Sequence, residues 1–162
     1  MTATQVIIQL IGAFFSVYTA AMIFDAPKNI RYSCGFVAVI SWAIYLFVKI
    51  QSDSEPTAVY ASAIFISLCA QVAARKIKIP VTVILLPSLF LLVPGIAIYR
   101  AVYYVMRNDN VMAGKYTYLT VMTAAMIALA VFSSDFLTKL YFRCKLKLMK
   151  LYKERREKNN AI

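Results

Sequence analysis

The sequence has no histidine and few acidic residues, with seven Asp and Glu against 18 Lys and Arg. Its three cysteines, Cys34, Cys69 and Cys144, form no Cys-x-x-Cys motif, and two of them lie inside apolar runs. A transition-metal site needs His or paired Cys ligands, and a disulfide framework needs paired cysteines, so we expect neither. The sequence also shows no nucleophile with a base and no facing carboxylates. We therefore predict no metal, no cofactor and no enzyme activity.

Apolar residues make up 62% of the 162 residues, and the mean hydropathy is +0.70. This composition is typical of an integral membrane protein. A helix needs about 20 residues to cross the hydrocarbon core. We predict an all-α fold in which residues 1–138 form a transmembrane bundle and residues 139–162 form a basic, amphipathic cytoplasmic helix. The five predicted spans cover residues 4–24, 34–50, 57–74, 79–106 and 112–136.

The fourth predicted span, residues 79–106, contains Pro80, Pro87 and Pro94, and the last is followed directly by Gly95. Each proline lacks an N–H and crowds the carbonyl four residues before it, so we predict a broken helix. The carbonyls that lose their partners to the last two prolines are those of Val83 and Phe90. Interrupted membrane helices occur where the backbone is buried in protein or lines a wet cavity. The break therefore indicates a transport site, although a simple structural kink is the alternative.

A half-helix that starts near Pro94 is predicted to point the free N–H groups of Gly95, Ile96 and Ala97 into the break. These groups and the helix dipole favour a carboxylate. The released carbonyls would accept a hydrogen bond from an ammonium or hydroxyl group. An amino acid carries both kinds of group, so it would fit such a site.

Arg100 follows one turn after Ala97, and Tyr99 and Tyr103 share a face of the same helix. We predict that these side chains bind substrate or gate its path, together with Pro87, Pro94, Gly95 and Ile96. The alternative is that Arg100 extends to the membrane interface and that the tyrosines belong to an aromatic belt. For Arg100 the sequence favours neither interpretation.

Five crossings divide the basic residues unequally between the two sides. One side receives Lys28, Arg31, the cluster 75–78 and the tail, and the other receives Lys49, Arg100, Arg107 and Lys115. The positive-inside rule then places the N-terminus outside and the C-terminus inside. If residues 79–106 dipped in and returned, the cluster 75–78 would be exported, so a full crossing is favoured.

Proton coupling usually requires a carboxylate or histidine within the membrane. We consider Asp25 a candidate, because it lies where the inner mouth is expected, whereas Asp135 is four residues from Lys139. Ordinary surface pairing is the alternative role for both carboxylates.

The tail contains nine basic and two acidic residues between positions 139 and 158. Lys139, Arg143, Lys147 and Lys150 are predicted to bind anionic lipids, at about 1 kcal/mol per basic residue, or a partner protein. No nucleic-acid module accompanies this charge, so we expect no binding to nucleic acid.

The chain resembles the threonine/serine exporter family, specifically its small (YjjB-type) membrane subunit, over most of residues 10–135. The residues that carry the resemblance are Pro80, Pro87, Leu92, Val93, Pro94, Gly95, Tyr99 and Arg100, with weaker matches at Phe24, Pro27, Lys28, Gly35, Trp42, Ala74, Arg75 and Lys76. The resemblance implies a secondary exporter of threonine, serine or small dicarboxylates, driven by an ion gradient. It also implies a larger partner subunit on a separate chain, an oligomer, and the cell (inner or plasma) membrane of a prokaryote. The competing hypothesis is a membrane scaffold that does not transport and recruits a partner through the basic tail.

Overall fold

The computed structural model describes the backbone of residues 2–52 and 54–159, and the side chains of residues 2, 4–52 and 54–143. These residues form helices and no strand. The helices are α1 (Ala3–Ile23), α2 (Lys28–Ser52), α3 (Glu55–Ile77), α4 (Thr82–Leu89), α5 (Gly95–Met106) and α6 (Asn110–Asn159), with a 3₁₀ turn at Phe90–Leu92. The expected all-α membrane fold is confirmed.

Four helices, α1, α2, α3 and α6, are long and apolar enough to cross a membrane. The α4–3₁₀ segment and α5 reach this threshold together and are bent by 51° at the residues between them. The bent pair is the proline-containing segment that was expected to be broken, and it is either one broken span or a re-entrant loop. The directions of its neighbours decide between the two.

Helices α3 and α6 run in the same direction. Glu55 near the start of α3 and Lys115 near the start of α6 line one cavity, whereas near their far ends the Arg75 guanidinium lies 3.7 Å from the centre of the Phe142 ring. A chain that leaves α3 at one end and enters α6 at the other must cross back between Ile77 and Asn110. The bent pair therefore runs from one end of the bundle to the other, which is the path of one broken span.

Helix α6 is continuous for 50 residues, about 75 Å, which is more than twice a hydrocarbon core of about 30 Å. The predicted span 112–136 and the predicted tail helix are thus one element, without an interruption at Asp135. The chain has no glycine or proline after Gly114 to end the helix. The backbone of the tail as far as Asn159 consequently extends the last span.

Close packing between α1 and α2 depends on Gly35. A Cβ atom at this position would lie 2.6 Å from the Phe14 ring, closer than real contacts allow. Small residues at helix interfaces let membrane helices approach each other, because lipid provides no hydrophobic force to press them together. Alanines with no exposed surface, among them Ala38, Ala58 and Ala63, have the same role along α2 and α3.

Candidate functional site

The break in the fourth span lies at Val93–Pro94 and not at Pro87. Helix α4 continues through Pro87, which is fully buried, and the 3₁₀ turn follows it. Pro94 has φ −77° and ψ 55°, and the N–H of Gly95 donates to the carbonyl of Val93 at 2.8 Å. This is the geometry of an inverse γ-turn centred on Pro94. The turn redirects the chain within three residues.

This turn changes which backbone groups are free. The expectation of a free Gly95 N–H was wrong, because that N–H is bonded within the turn, and the Phe90 carbonyl accepts from the N–H of Val93 at 3.4 Å. The N–H groups of Ile96 and Ala97 and the carbonyls of Leu91 and Leu92 have no hydrogen-bond partner among the described residues. The bend therefore has free donors at the start of α5 and free acceptors at the end of the 3₁₀ turn.

A cavity of about 500 Å³ lies at this bend. Its walls come from α2, α3, α5 and α6 as well as from the bend itself. The lining residues are Trp42, Tyr45, Glu55, Val59, Leu91, Leu92, Val93, Pro94, Gly95, Ile96, Ala97, Arg100, Lys115, Tyr116, Leu119 and Thr123. The cavity lies at the end of the bundle that holds the α2–α3 and α5–α6 connections, opposite the tail.

Only part of the predicted site lines this cavity. Pro94, Gly95, Ile96 and Arg100 do, whereas Pro87 is packed in the core. Tyr99 and Tyr103 lie outside the cavity lining, with 68% and 40% of their surface exposed, and their rings stack on each other with centroids 6.2 Å apart. Tyr103 also accepts a hydrogen bond from Arg107 at 3.1 Å. These two tyrosines therefore suit the aromatic-belt alternative better than direct contact with a molecule in the cavity.

Positive charge predominates in the cavity. Glu55 is paired with Lys49, whose Nζ lies 3.1 Å from Oε1, and Tyr45 donates to the same oxygen at 3.4 Å. Among the described side chains, no carboxylate lies within 4.0 Å of Arg100 or Lys115. Arg100 instead donates to the Tyr116 hydroxyl at 3.1 Å. Two cations without acidic partners thus remain to attract an anionic group.

Aromatic side chains hold these polar groups in place. Trp42 stacks on Tyr45 with ring centres 4.8 Å apart, and its indole N–H donates to the Gln9 side chain at 3.3 Å. Tyr116 is stacked in parallel on Tyr104, with centroids 5.5 Å apart. The partner of Arg100 is therefore fixed by packing and not only by its hydrogen bond.

The sequence-based site lacked the residues that α2, α3 and α6 contribute. They are Trp42, Tyr45, Glu55, Val59, Lys115, Tyr116, Leu119 and Thr123. One signal was available for Lys115, because the count of basic residues already placed it on the same side as Lys49 and Arg100. Glu55 also lies at that end of the bundle, so these residues of opposite charge could have been assigned to one site.

The carboxylates near the other end lie away from the cavity. Asp25 is in the α1–α2 connection, with φ 51°, at the tail end of the bundle. Its coupling role stays a prediction. Asp135 accepts from Gln71 Nε2 at 2.8 Å and lies 3.8 Å from Lys139 Nζ. This carboxylate therefore joins α3 to α6.

The predicted lipid- or partner-binding residues lie on α6. Lys139 is paired with Asp135, and Arg143 is exposed. The side chains of Lys147 and Lys150 lie outside the described residues.

A family model matches most of the chain. The model of the family described as "Threonine/Serine exporter, ThrE" matches residues 9–137, which include the bend and the whole cavity lining. No curated protein and no solved structure matches the chain.

Proposed function

The chain belongs to the threonine/serine exporter family, and from this premise we propose that it is a membrane subunit of a secondary exporter for small polar metabolites. The substrates proposed are threonine- or serine-type amino acids or small dicarboxylates. Export is driven by an ion gradient. A larger subunit of the same family, on a separate chain, completes the transporter in an oligomer.

The observation that carries this proposal is a cavity built around the break of a membrane span. Unpaired backbone groups are costly in hydrocarbon and are tolerated where they line a wet cavity. Helix termini at broken spans are a recurrent way to bind charged substrates in transporters. A volume of about 500 Å³ lies within the usual range of small-molecule sites.

The proposed binding mode places a substrate carboxylate between the start of α5 and Arg100. The free N–H groups of Ile96 and Ala97 and the positive end of the α5 dipole favour an anion there. The guanidinium adds charge-assisted hydrogen bonds, which are stronger than neutral ones. Tyr116 keeps it in position.

The opposite side of the bend suits the other groups of the substrate. The carbonyls of Leu91 and Leu92 accept from an ammonium or hydroxyl, and Thr123 in α6 offers a further hydroxyl. For a dicarboxylate, Lys115 supplies the second positive charge. The cavity therefore accommodates either class, and the excess of cations favours substrates that carry net negative charge.

The proposed setting is the cell membrane of a prokaryote, with the N-terminus outside and the tail inside. The distribution of basic residues supports this orientation through the positive-inside rule. The cavity then faces outward, and the exposed Arg143 lies where anionic headgroups of the inner leaflet would meet α6.

A scaffold function is the second candidate, and the unbroken α6 favours it. A helix of about 75 Å extends well past the hydrocarbon core with a strongly basic end. A scaffold would tolerate changes at Pro94, Gly95 and Arg100 but not removal of residues 139–158. For an exporter we expect the reverse: changes at Pro94, Gly95 and Arg100 would reduce transport, and removal of residues 139–158 would reduce it less.

The test is efflux of preloaded, labelled threonine, serine and succinate from vesicles that contain this chain alone or together with the larger subunit. We expect export only when both chains are present. Export of none of the three compounds, from protein that is correctly inserted with its partner, would contradict the proposed function.

A further inference from the structure

Among the residues that the structure describes, three hydroxyl groups deep in the bundle make no hydrogen bond of ordinary length: the Oγ atoms of Ser62, Ser67 and Ser88. Their residues are at most 1% exposed. The hydroxyl of Ser88 lies beside the thiol of Cys34. A serine in a membrane helix commonly donates to a carbonyl one turn before it, as Ser134 does to Val131 at 2.9 Å. Buried polar groups without partners are rare, and each requires an explanation.

Two of these hydroxyls lie directly beneath the cavity. Ser62 on α3 lies about one helical turn closer to the tail end than Val59, which lines the cavity. Ser88 has the same relation to the lining residue Leu92, and Ser41 on α2 to the lining residue Tyr45. Ser41 and Ser62 are in contact, because the Ser41 hydroxyl lies 3.4 Å from the Ser62 carbonyl. Ser88 lies deeper, because its hydroxyl is beside the Cys34 thiol, and Cys34 is two turns nearer the tail end of α2 than Ser41. We refer to Ser41, Ser62 and Ser88 together as the serine layer; Leu92 and Val59 lie between it and the cavity.

The bend at Val93–Pro94 can serve as a hinge in the fourth span, between the serine layer and α5. Helix α4 has only eight residues, and its far end is connected to α5 through the γ-turn at Pro94. A rotation about the extended Val93 and the turn would move Ser88 and Leu92 relative to α2 and α3 without unfolding α5. Broken helices permit such rigid-body movement of half-helices in transporters.

We propose that the serine layer, Ser41, Ser62 and Ser88, is the continuation of the transport path toward the tail side, and that it becomes water-lined when the bundle opens in that direction. Ser67, more than one turn deeper on α3, extends the same path. Its ligands are water and the hydroxyl and ammonium groups of a small polar solute. This inference rests on the proposed export function.

Cysteine accessibility tests the proposal, because a thiol reacts with maleimides only where water reaches it and ionises it. Ser41, Ser62 and Ser88 are replaced one at a time by Cys in a chain whose natural cysteines, Cys34, Cys69 and Cys144, are replaced by Ala. The matched controls are Ala38→Cys and Ala63→Cys, which lie on α2 and α3 and are equally buried. All variants are labelled with N-ethylmaleimide in membranes that also contain the larger subunit.

We expect each serine-layer variant to react at least tenfold faster than the two alanine controls. The reaction should also be blocked by a charged, impermeant thiosulfonate added from the tail side. Rates equal to those of the controls would overturn the proposal.

A second measurement does not depend on the cysteine-free chain. Ser62→Ala and Ser88→Ala in the natural sequence remove hydroxyls that make no hydrogen bond of ordinary length to the described residues, so thermal stability should stay the same or rise. Export should fall several-fold. A fall in stability with unchanged export would assign these residues to packing alone and overturn the proposal.

Failure of the export function would look different. In that case labelled threonine, serine and succinate would not leave the vesicles, and none of them would protect Thr123→Cys in the cavity from labelling. The accessibility of the serine layer would still be measured independently of transport.

Discussion

The bent pair, α4 and α5, and the long helix α6 differ in how their backbones are hydrogen-bonded. The bent pair uses proline, a 3₁₀ turn and a γ-turn within a few residues, and leaves four backbone groups unpaired beside a cavity. Helix α6 has no glycine or proline for its last 45 helical positions, from Lys115 to Asn159, and keeps its backbone bonded internally. The difference indicates that one element is built to contact a polar solute and the other to support it.

The largest effect is expected from making the bent span continuous. Replacing both Pro94 and Gly95 by Ala restores a helix N–H and removes the residue that fixes φ, so α4 and α5 should join into one helix. Export should fall at least 100-fold while the protein remains inserted and stable. Efflux and thermal unfolding in detergent would be measured together.

Pro87→Ala is the control for that change, because α4 already continues through Pro87. We expect export to change less than fivefold. A similar loss in both variants would show that the bend at Pro94 has no special role.

The next largest effect is expected from substitution of Arg100, one of the two cations that line the cavity. Arg100→Ala removes charge-assisted hydrogen bonds worth about 1.5–3 kcal/mol each, so we expect export to fall roughly 10- to 150-fold. The matched control is Arg107→Ala, in the same helix hairpin but outside the cavity. Equal losses would assign both arginines to interface anchoring.

A smaller effect, on stability alone, is expected from two glycine substitutions, one inside the bundle and one on α6. Gly35→Ala places a Cβ against the Phe14 ring and should cost about 1–3 kcal/mol. Gly114→Ala meets nothing within 4 Å and should be neutral or stabilise its helix by up to about 1 kcal/mol. Unfolding curves in detergent would check the opposite signs. A loss of stability at Gly114 would reveal a contact of α6 with another chain.

The smallest effect is expected at the exposed start of the tail. Arg143→Gln should weaken binding of phosphatidylglycerol to the detergent-solubilised protein by about 1 kcal/mol and leave binding of phosphatidylcholine unchanged. Lys139→Gln should do less, because Asp135 already partly neutralises Lys139. Titration of the solubilised protein with each lipid would measure the difference, and an equal effect on both lipids would contradict it.

Local chemistry was enough to predict the helices and the break at Pro94–Gly95, because both follow from apolar length and from missing N–H groups. It did not predict the γ-turn, since that depends on the ψ angle of Pro94, and the turn is what occupies the Gly95 N–H. Pro87 also lacks an N–H, yet the surrounding core holds its helix together.

The walls of the cavity were harder to predict because they arise from packing between distant segments. Glu55 and Tyr116 reach the bend only because α3 and α6 are parallel neighbours. Sequence patterns place such residues at one end of the bundle but do not bring them to one point. The continuity of α6 was also not predicted. The sequence becomes polar from Asp135 onward, which indicates an end of the last span and a separate tail helix, but α6 continues without interruption to Asn159.

The most direct test of the substrate site is efflux of labelled threonine, serine and succinate from vesicles that hold both subunits. The wild-type chain is compared with Arg100→Ala and Arg107→Ala at equal protein levels. We predict that Arg100→Ala loses at least nine-tenths of the export rate for any compound the wild type exports, while Arg107→Ala keeps most of it. Full export by Arg100→Ala would show that the cavity at the bend does not hold the substrate.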